Sequence, residues 1–230
     1  MQPGLYLVGT PIGNLEDISA RALSTLRAAD LILAEDTRHT RILLERYQIR
    51  GTLVSCHRLN EASRSAFVLE RIRSGQAVAL VTNAGMPGVS DPGARIVKAC
   101  RQAELPVTII PGPSSVTAAL ALCGFIAGGF HCEGFLPRKA GARQKRMQQL
   151  LNEPCPVVIM ESPYRCLKLL AEWNALMPER ELFLARELTK LHEECLWGAV
   201  RDVYQKLSER VGVPGQRAVR GEIVLVLAPS

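Results

Sequence analysis

Short apolar runs recur through the first half of the chain, each followed by a polar or glycine-rich break and then by an amphipathic stretch. The runs are LYLV (5–8), LILAE (31–35), TLVSC (52–56), AVALV (77–81) and VTII (107–110). Between the first two, Ile18, Ala22, Leu23 and Leu26 recur at helical spacing, with Asn14 as the expected cap and Glu16 and Asp17 in the first turn, to an end near Asp30. A second helix runs through Leu43, Leu44 and Tyr47 with Gly51 as its stop, and a third runs from Asn60 to Gly75. Asp91–Pro92 reads as a cap and first helical position for a fourth, reaching about Leu105. Strands alternating with helices predict a mostly parallel sheet, wound right-handedly.

The pattern then changes. Ser114 or Ser115 caps a helix of small residues ending at Gly124, and the strand-like runs 129–137, 156–162, 181–187, 192–198 and 222–228 follow with fewer helices between them. The expected organisation is an α/β fold of two lobes. Residues 1–115 form an N-terminal domain with a mostly parallel sheet, and residues 116–230 form a C-terminal domain with a mixed sheet.

A hydrophobic content of 47% supports packed cores in a chain of 230 residues. MQPGLYLVG has neither a basic region nor a long apolar one, and the apolar stretch 116–130 is broken by Gly124, Gly128 and Gly129 and falls short of the ~20 residues that span a bilayer. A cytoplasmic protein without membrane contact is expected. Seven cysteines without a Cys-x-x-Cys pair, and four dispersed histidines, read as reduced, mostly buried thiols rather than as a metal centre. Neither a Gly-x-Ser-x-Gly elbow nor a phosphate-binding Walker loop is present. Net charge is +6, with arginine far outnumbering lysine. That balance suits phosphate recognition, and equally reflects a GC-rich genome.

Three of the apolar runs end in Gly/Pro-rich loops: 5–14, 77–88 and 107–115. One such loop is an ordinary turn. Three at the carboxyl ends of strands in one parallel sheet line one crevice, where such folds bind ligands. AEDTRHT (34–40) brings Glu35 and Asp36 to the same place, either as groups that orient or deprotonate a substrate or as helix-start carboxylates. PRKAGARQKR (137–146) has five basic residues in ten with Gly and Pro, and reads as a mobile basic strap for nucleic acid. Aromatic residues are only 5%, so stacking platforms for bases are not evident.

The blocks VGTPIGNLEDIS, AEDTRHT, NAGMPGVSDPG, PGPSS, EGFLPRK, MESPYR, ARELTKLHEE and RGEIVLVL, taken together and in order, resemble the tetrapyrrole methylase-like superfamily of S-adenosylmethionine-dependent enzymes. Within it they are most similar to the branch that methylates a cytidine 2'-hydroxyl in small-subunit (16S) ribosomal RNA. The resemblance implies two α/β domains with the methyl donor in the cleft between them, and a homodimer. It implies that Pro11, Ala84, Gly85, Met86, Val89, Ser114 and Ser115 face the donor, with Met160 and Leu188 closing the pocket. Glu35 falls where related methylases carry an acidic active-site residue, and the role of base is shared here between Glu35 and Asp36. Arg38, Arg41, Arg138, Lys139, Arg143, Lys145, Arg146, Arg165, Arg186 and Lys190 are the candidate contacts to RNA phosphates, a solvated face being the simpler reading of the scattered ones. Glu161, Glu187 and Glu222 either balance the donor's charge or pair with arginines.

The chain departs from the family pattern at Asn83 and Met86, where relatives commonly carry Asp and Thr, and at Tyr164, where they carry His. Two other functions fit the same residues: a methylase of this fold acting on a tetrapyrrole or other small molecule, and a non-catalytic RNA-binding or ribosome-assembly protein.

Overall fold

The computed structural model describes residues 1–125, 128–210 and 219–230. The chain divides into two compact units, Met1–Ser114 and Ser115–Ser230. Ile126 and Ala127, within the apolar stretch noted above, lie outside the described residues.

The first unit carries β1 (Gly4–Val8), α1 (Ala20–Ala28), β2 (Leu31–Ala34), α2 (Thr37–Arg46), β3 (Leu53–Ser55), α3 (Glu61–Arg73), β4 (Ala77–Val81), α4 (Ala94–Gln102) and β5 (Val107–Ile110). Its sheet has the order β3-β2-β4-β1-β5, and every neighbouring pair is parallel. Alternation along the strands divides the apolar residues between two faces. Val8, Ile32, Ala34, Ala79 and Val81 pack with Ala22 and Leu26 of α1 and Leu43 and Leu44 of α2. Leu5, Leu31, Leu33, Val78 and Leu80 pack with Val68 and Ile72 of α3 and Ile96 and Cys100 of α4. Helices cover both faces, which is why β2 and β4 read as unbroken apolar runs and are buried throughout.

Three helix boundaries differ from the sequence expectation. The stretch after Asn14 is two elements: Asn14 Oδ1 accepts from Glu16 N and caps a single 3-10 turn, Leu15–Asp17, then Ile18 turns extended and Ser19 Oγ caps α1 by accepting from Ala22 N at 3.0 Å. α2 stops at Tyr47, because Gln48 takes a left-handed φ of 53° and Ile49 N bonds back to Leu44 O at 2.8 Å; Gly51 lies beyond the stop. α4 starts at Ala94, past Asp91–Pro92, with Gly93 (φ 139°) at its cap. The cap function comes from another helix: the buried Glu61 carboxylate accepts from Gly93 N at 2.9 Å and Arg95 N at 2.8 Å.

The second unit carries α5 (Ser115–Cys123), β6 (His131–Phe135), α6 (Ala140–Leu150), β7 (Val157–Glu161), α7 (Pro163–Leu176), β8 (Glu181–Arg186), β9 (Glu194–Ala199), α8 (Val200–Ser208) and β10 (Ile223–Leu227). The sheet order is β6-β7-β10-β8-β9; β6 and β7 are parallel, and β10 runs antiparallel to both β7 and β8. Fewer helices separate the strands here, as expected: helices lie between β6 and β7, β7 and β8, and β9 and β10, but β8 runs on to β9 without one, whereas every connection of the first sheet carries a helix. The segment 137–146, expected as a mobile strap, largely joins α6, whose buried residues Arg143, Met147 and Leu150 recur at helical spacing. Trp173 of α7 centres the core on one face of the sheet, and α5 packs against β7, β8 and β10. Arg180 ties two ends together by donating to the carbonyls of Ala228, Leu150 and Leu151 at 2.7 to 3.2 Å.

Of the seven cysteines, all free, Cys56, Cys100, Cys123 and Cys166 are buried, whereas Cys132 and Cys195 are exposed. No helix among the described residues is long and apolar enough to cross a membrane. Leu225, on the central strand β10, is fully buried. Leu225→Ala is expected to lower stability by about 2–5 kcal/mol in urea denaturation followed by circular dichroism.

Candidate functional site

Because the first sheet is wholly parallel, its strands release their chains at one edge. β4, β1 and β5 are neighbours in that order, so the three glycine loops emerge side by side. They are also locked to one another. Thr10 and Gly85 exchange main-chain hydrogen bonds at 2.9 and 3.1 Å, and Thr10 Oγ1 donates to Thr82 O at 3.2 Å. Gly9 meets Gly112 backbone to backbone: a Cβ on Gly9 would lie 2.7 Å from Gly112 Cα and 2.6 Å from Met86 Sδ. Only residues without a side chain permit that approach.

The acidic pair follows β2, beside β4. Asp36 is the N-cap of α2: its Oδ1 accepts from Arg38 N at 2.8 Å, and its Oδ2 pairs with the Arg38 guanidinium at 3.1 Å. The side-chain bond from Arg38, helped by the backbone bond from the same residue, pulls the Asp36 carboxyl down to about 2. A group so acidic is a poor proton acceptor near neutral pH. Glu35 has no such commitment; its Oε2 accepts from Asn83 N at 3.4 Å, while Asn83 Oδ1 accepts from Asp36 N at 3.2 Å.

Asp91 is a third carboxyl of this neighbourhood that sequence reasoning used only as a helix cap. Burial, reinforced by the charge of Glu35, pushes its carboxyl up against the opposing pull of Arg58. Arg58 in turn donates to the Ser90 carbonyl and so fastens the loop that carries Asp91. Glu61, also missed, anchors the far end of the loop through Gly93. Its only sequence signal is a charged residue one place after a capping Asn. Asn60 stands at the cap position of α3, but its side chain accepts from His57 N instead.

Of the proposed donor-facing residues in this unit, Pro11, Ala84, Gly85, Met86 and Val89 belong to the interlocked loops and Ser114 closes the third. Pro11 and Gly85 are buried, and Val89 is 69% exposed. Ser115 starts α5 of the second unit, where Met160 lies in β7 and the buried Leu188 follows β8. The edge offers apolar walls, approachable peptide groups and several carboxylates. That chemistry fits a cationic nucleoside without a phosphate.

In the second unit most candidate RNA contacts already have carboxylate partners. The buried Arg143 bonds Glu172 through two nitrogens at 2.6 and 2.8 Å, and Arg146 bonds Glu133 likewise at 2.6 and 2.9 Å. Arg165 pairs with the buried Glu161 at 3.2 Å and donates to Leu136 O; Arg186 pairs with Glu194 at 3.1 Å. Lys190 bridges Glu187 and Glu222 at 2.9 and 3.0 Å. Glu161, Glu187 and Glu222 therefore pair with cations of their own unit. Arg41, Arg138, Lys139 and Lys145 are exposed and form no ion pair among the described residues. No group of His, Cys, Asp and Glu able to hold a metal ion occurs among the described residues.

Comparison with known proteins gives a consistent result. The family model of tetrapyrrole (corrin/porphyrin) methylases matches residues 4–203. A protein of Thermotoga maritima named ribosomal RNA small subunit methyltransferase I is 44% identical over 97% of this chain and 97% of its own length. A namesake from Neisseria meningitidis serogroup B is 43% identical over 98% of this chain and 76% of its own. Among solved structures, uroporphyrin-III C-methyl transferase from Thermus thermophilus, complexed with S-adenyl homocysteine, has the same fold, with a TM-score of 0.64 and 19% identity over 98% of this chain and 97% of that one.

Three outcomes test the geometry. Gly9→Ala is expected to cost about 1–3 kcal/mol of stability in urea, because the new methyl meets the Gly112 backbone. Gly141→Ala in α6, where a Cβ meets nothing within 4 Å, is expected to be neutral or slightly stabilising. The Asp36 carboxyl, followed by carbon NMR, is expected to titrate at about 2 and to move toward 3.8 in Arg38→Ala. Because its folded value is depressed, the stability that it contributes is full above the ordinary carboxylate range and is lost as pH falls through 2.

Proposed function

The chain belongs to the tetrapyrrole (corrin/porphyrin) methylase family, and from that premise we propose that it moves a methyl group from S-adenosylmethionine to a cytidine ribose 2'-hydroxyl of small-subunit (16S) ribosomal RNA. The observation that carries the substrate is the 44% identity with the Thermotoga maritima rRNA methyltransferase along nearly the whole of both chains. The uroporphyrin enzyme shares the fold at 19% identity, too distant to argue for a macrocycle as substrate. A homodimer and a cytoplasmic location are part of the same proposal, supported by the family resemblance.

When bound, S-adenosylmethionine supplies a methyl group on a positively charged sulfur, already a competent leaving group. The chain then has to hold the donor, orient a hydroxyl and remove its proton. The loop 84–89 with Pro11 and Ser114 is the proposed donor surface in the first unit, and the carboxylates beside it favour a cationic ligand. Ser115, Met160 and Leu188 remain proposed donor contacts from the second unit.

Glu35 is the proposed base. Its partner Asp36 is held ionised by Arg38 and by the start of α2, so its part is to fix the helix rather than to accept a proton. Glu35 takes the 2'-hydroxyl proton as the oxygen forms its bond to the methyl carbon and the carbon–sulfur bond breaks, its electron pair remaining on sulfur as a neutral thioether. The exposed Arg41, Arg138, Lys139 and Lys145 are the readiest proposed partners for RNA phosphates, and the paired Arg38, Arg143, Arg146, Arg165, Arg186 and Lys190 form a second rank that shapes the surface.

Incubation with donor radiolabelled in its methyl group and small ribosomal subunits is expected to place the label on a ribose. Label on a tetrapyrrole precursor offered in parallel, or donor binding without any transfer, overturns the proposal. Glu35→Gln is expected to lower kcat by about 10²–10⁴-fold. Asp36→Asn, which retains a good capping side chain, is expected to lose far less.

A further inference from the structure

We propose that Asn83 is a positioning residue for the acidic pair: it holds Glu35 in place for the ribose proton and brings no charge of its own to the site. The inference rests on Glu35 being the base, as argued above.

The ladder between β2 and β4 ends at Ala34 and Val81. Beyond it the next peptide groups have no strand partner, and side chains take over. The Asp36 N–H donates to Asn83 Oδ1 at 3.2 Å, and the Asn83 N–H donates to Glu35 Oε2 at 3.4 Å. The Asn83 side chain thus fixes the peptide that directly follows Glu35, while the Asn83 main chain meets the Glu35 carboxylate, so position 83 holds Glu35 through its backbone as well as through its side chain. The backbone on both sides of Asn83 is itself fixed, by the Thr10–Thr82 bond and by the Thr10–Gly85 pair. The amide oxygen of Asn83 is thus already engaged toward β2, which leaves it unsuited as a charge partner for the donor.

The charge balance gives the choice of amide a reason. Asp36 and Arg38 face this neighbourhood from α2, Asp91 from the loop after β4, and Arg58 from the connection before α3. Asn83 supplies the acceptor that the Asp36 N–H needs without adding a carboxylate beside Glu35. Aspartate at this position would supply the same acceptor and a negative charge. Like charges raise one another's proton affinity, so Glu35 would then hold its proton to a higher pH.

The test compares wild type with Asn83→Asp and Asn83→Ala, using calorimetric titration with S-adenosylmethionine and kcat against pH on small ribosomal subunits. In Asn83→Asp, which preserves the shape of the side chain, the acidic limb of the profile is expected to move up by about one pH unit. In Asn83→Ala, kcat is expected to fall by about tenfold or more across the profile, with KM for the donor unchanged. Thermal melts of both variants confirm that they are folded. An unmoved acidic limb in Asn83→Asp overturns the inference. So does a donor Kd that weakens in step with kcat in Asn83→Ala, which would make position 83 a donor site. Glu35→Gln separates the two readings: full activity there defeats Glu35 as base, whereas lost activity there with an unshifted Asn83→Asp profile defeats only the positioning role.

Discussion

The close approach of Gly9 and Gly112 is the contact on which the candidate site depends. β4, β1 and β5 are adjacent and parallel, so their chains leave the sheet at one edge and compete for the same space. A side chain on either glycine would push the first and third loops apart, and one on Gly9 would also displace the Met86 sulfur. With hydrogen there instead, the loops stack backbone on backbone, and the Thr10–Gly85 exchange extends pairing past the ends of the strands. The result is a rigid floor of peptide groups, suited to a ligand recognised by shape and by amide contacts.

Around that floor the site is set by how its carboxylates are divided. Glu61 is taken up by the start of α4, and Asp36 by the start of α2 and Arg38. Glu35 is held only by a longer backbone bond, and Asp91 by a partly buried loop pinned through Arg58 and Ser90. Helix-start carboxylates fix the frame. The second unit follows the opposite rule. There many arginines and lysines are tied to Glu133, Glu161, Glu172, Glu187, Glu194 and Glu222, while Arg138, Lys139 and Lys145, before and within α6, are exposed without an ion pair among the described residues.

Both rules bear on the donor. S-adenosylmethionine is cationic, and an edge lined by carboxylates and amides favours it where a phosphate-binding loop would not. RNA is anionic, and the exposed arginines and lysines are its proposed partners. Segregating the two kinds of charge lets one protein attract ligands of opposite sign.

Much of the fold was legible in the sequence. Unbroken apolar runs at 31–34 and 77–81 meant strands covered on both faces, and their alternation with amphipathic stretches meant parallel connections, because both signals are local. The three glycine loops and the pair Glu35–Asp36 were legible for the same reason: each directly follows a strand. The sequence could not say which carboxylate was committed, since that depends on where Arg38, Asn83 and Asp91 come to lie. Nor could it show that Glu61 caps a helix thirty-odd residues further on, or that the basic run 137–146 buries Arg143 against Glu172. Those facts are long-range pairings of polar atoms. Periodicity reports which side of an element is dry, and only the folded chain decides which charge meets which.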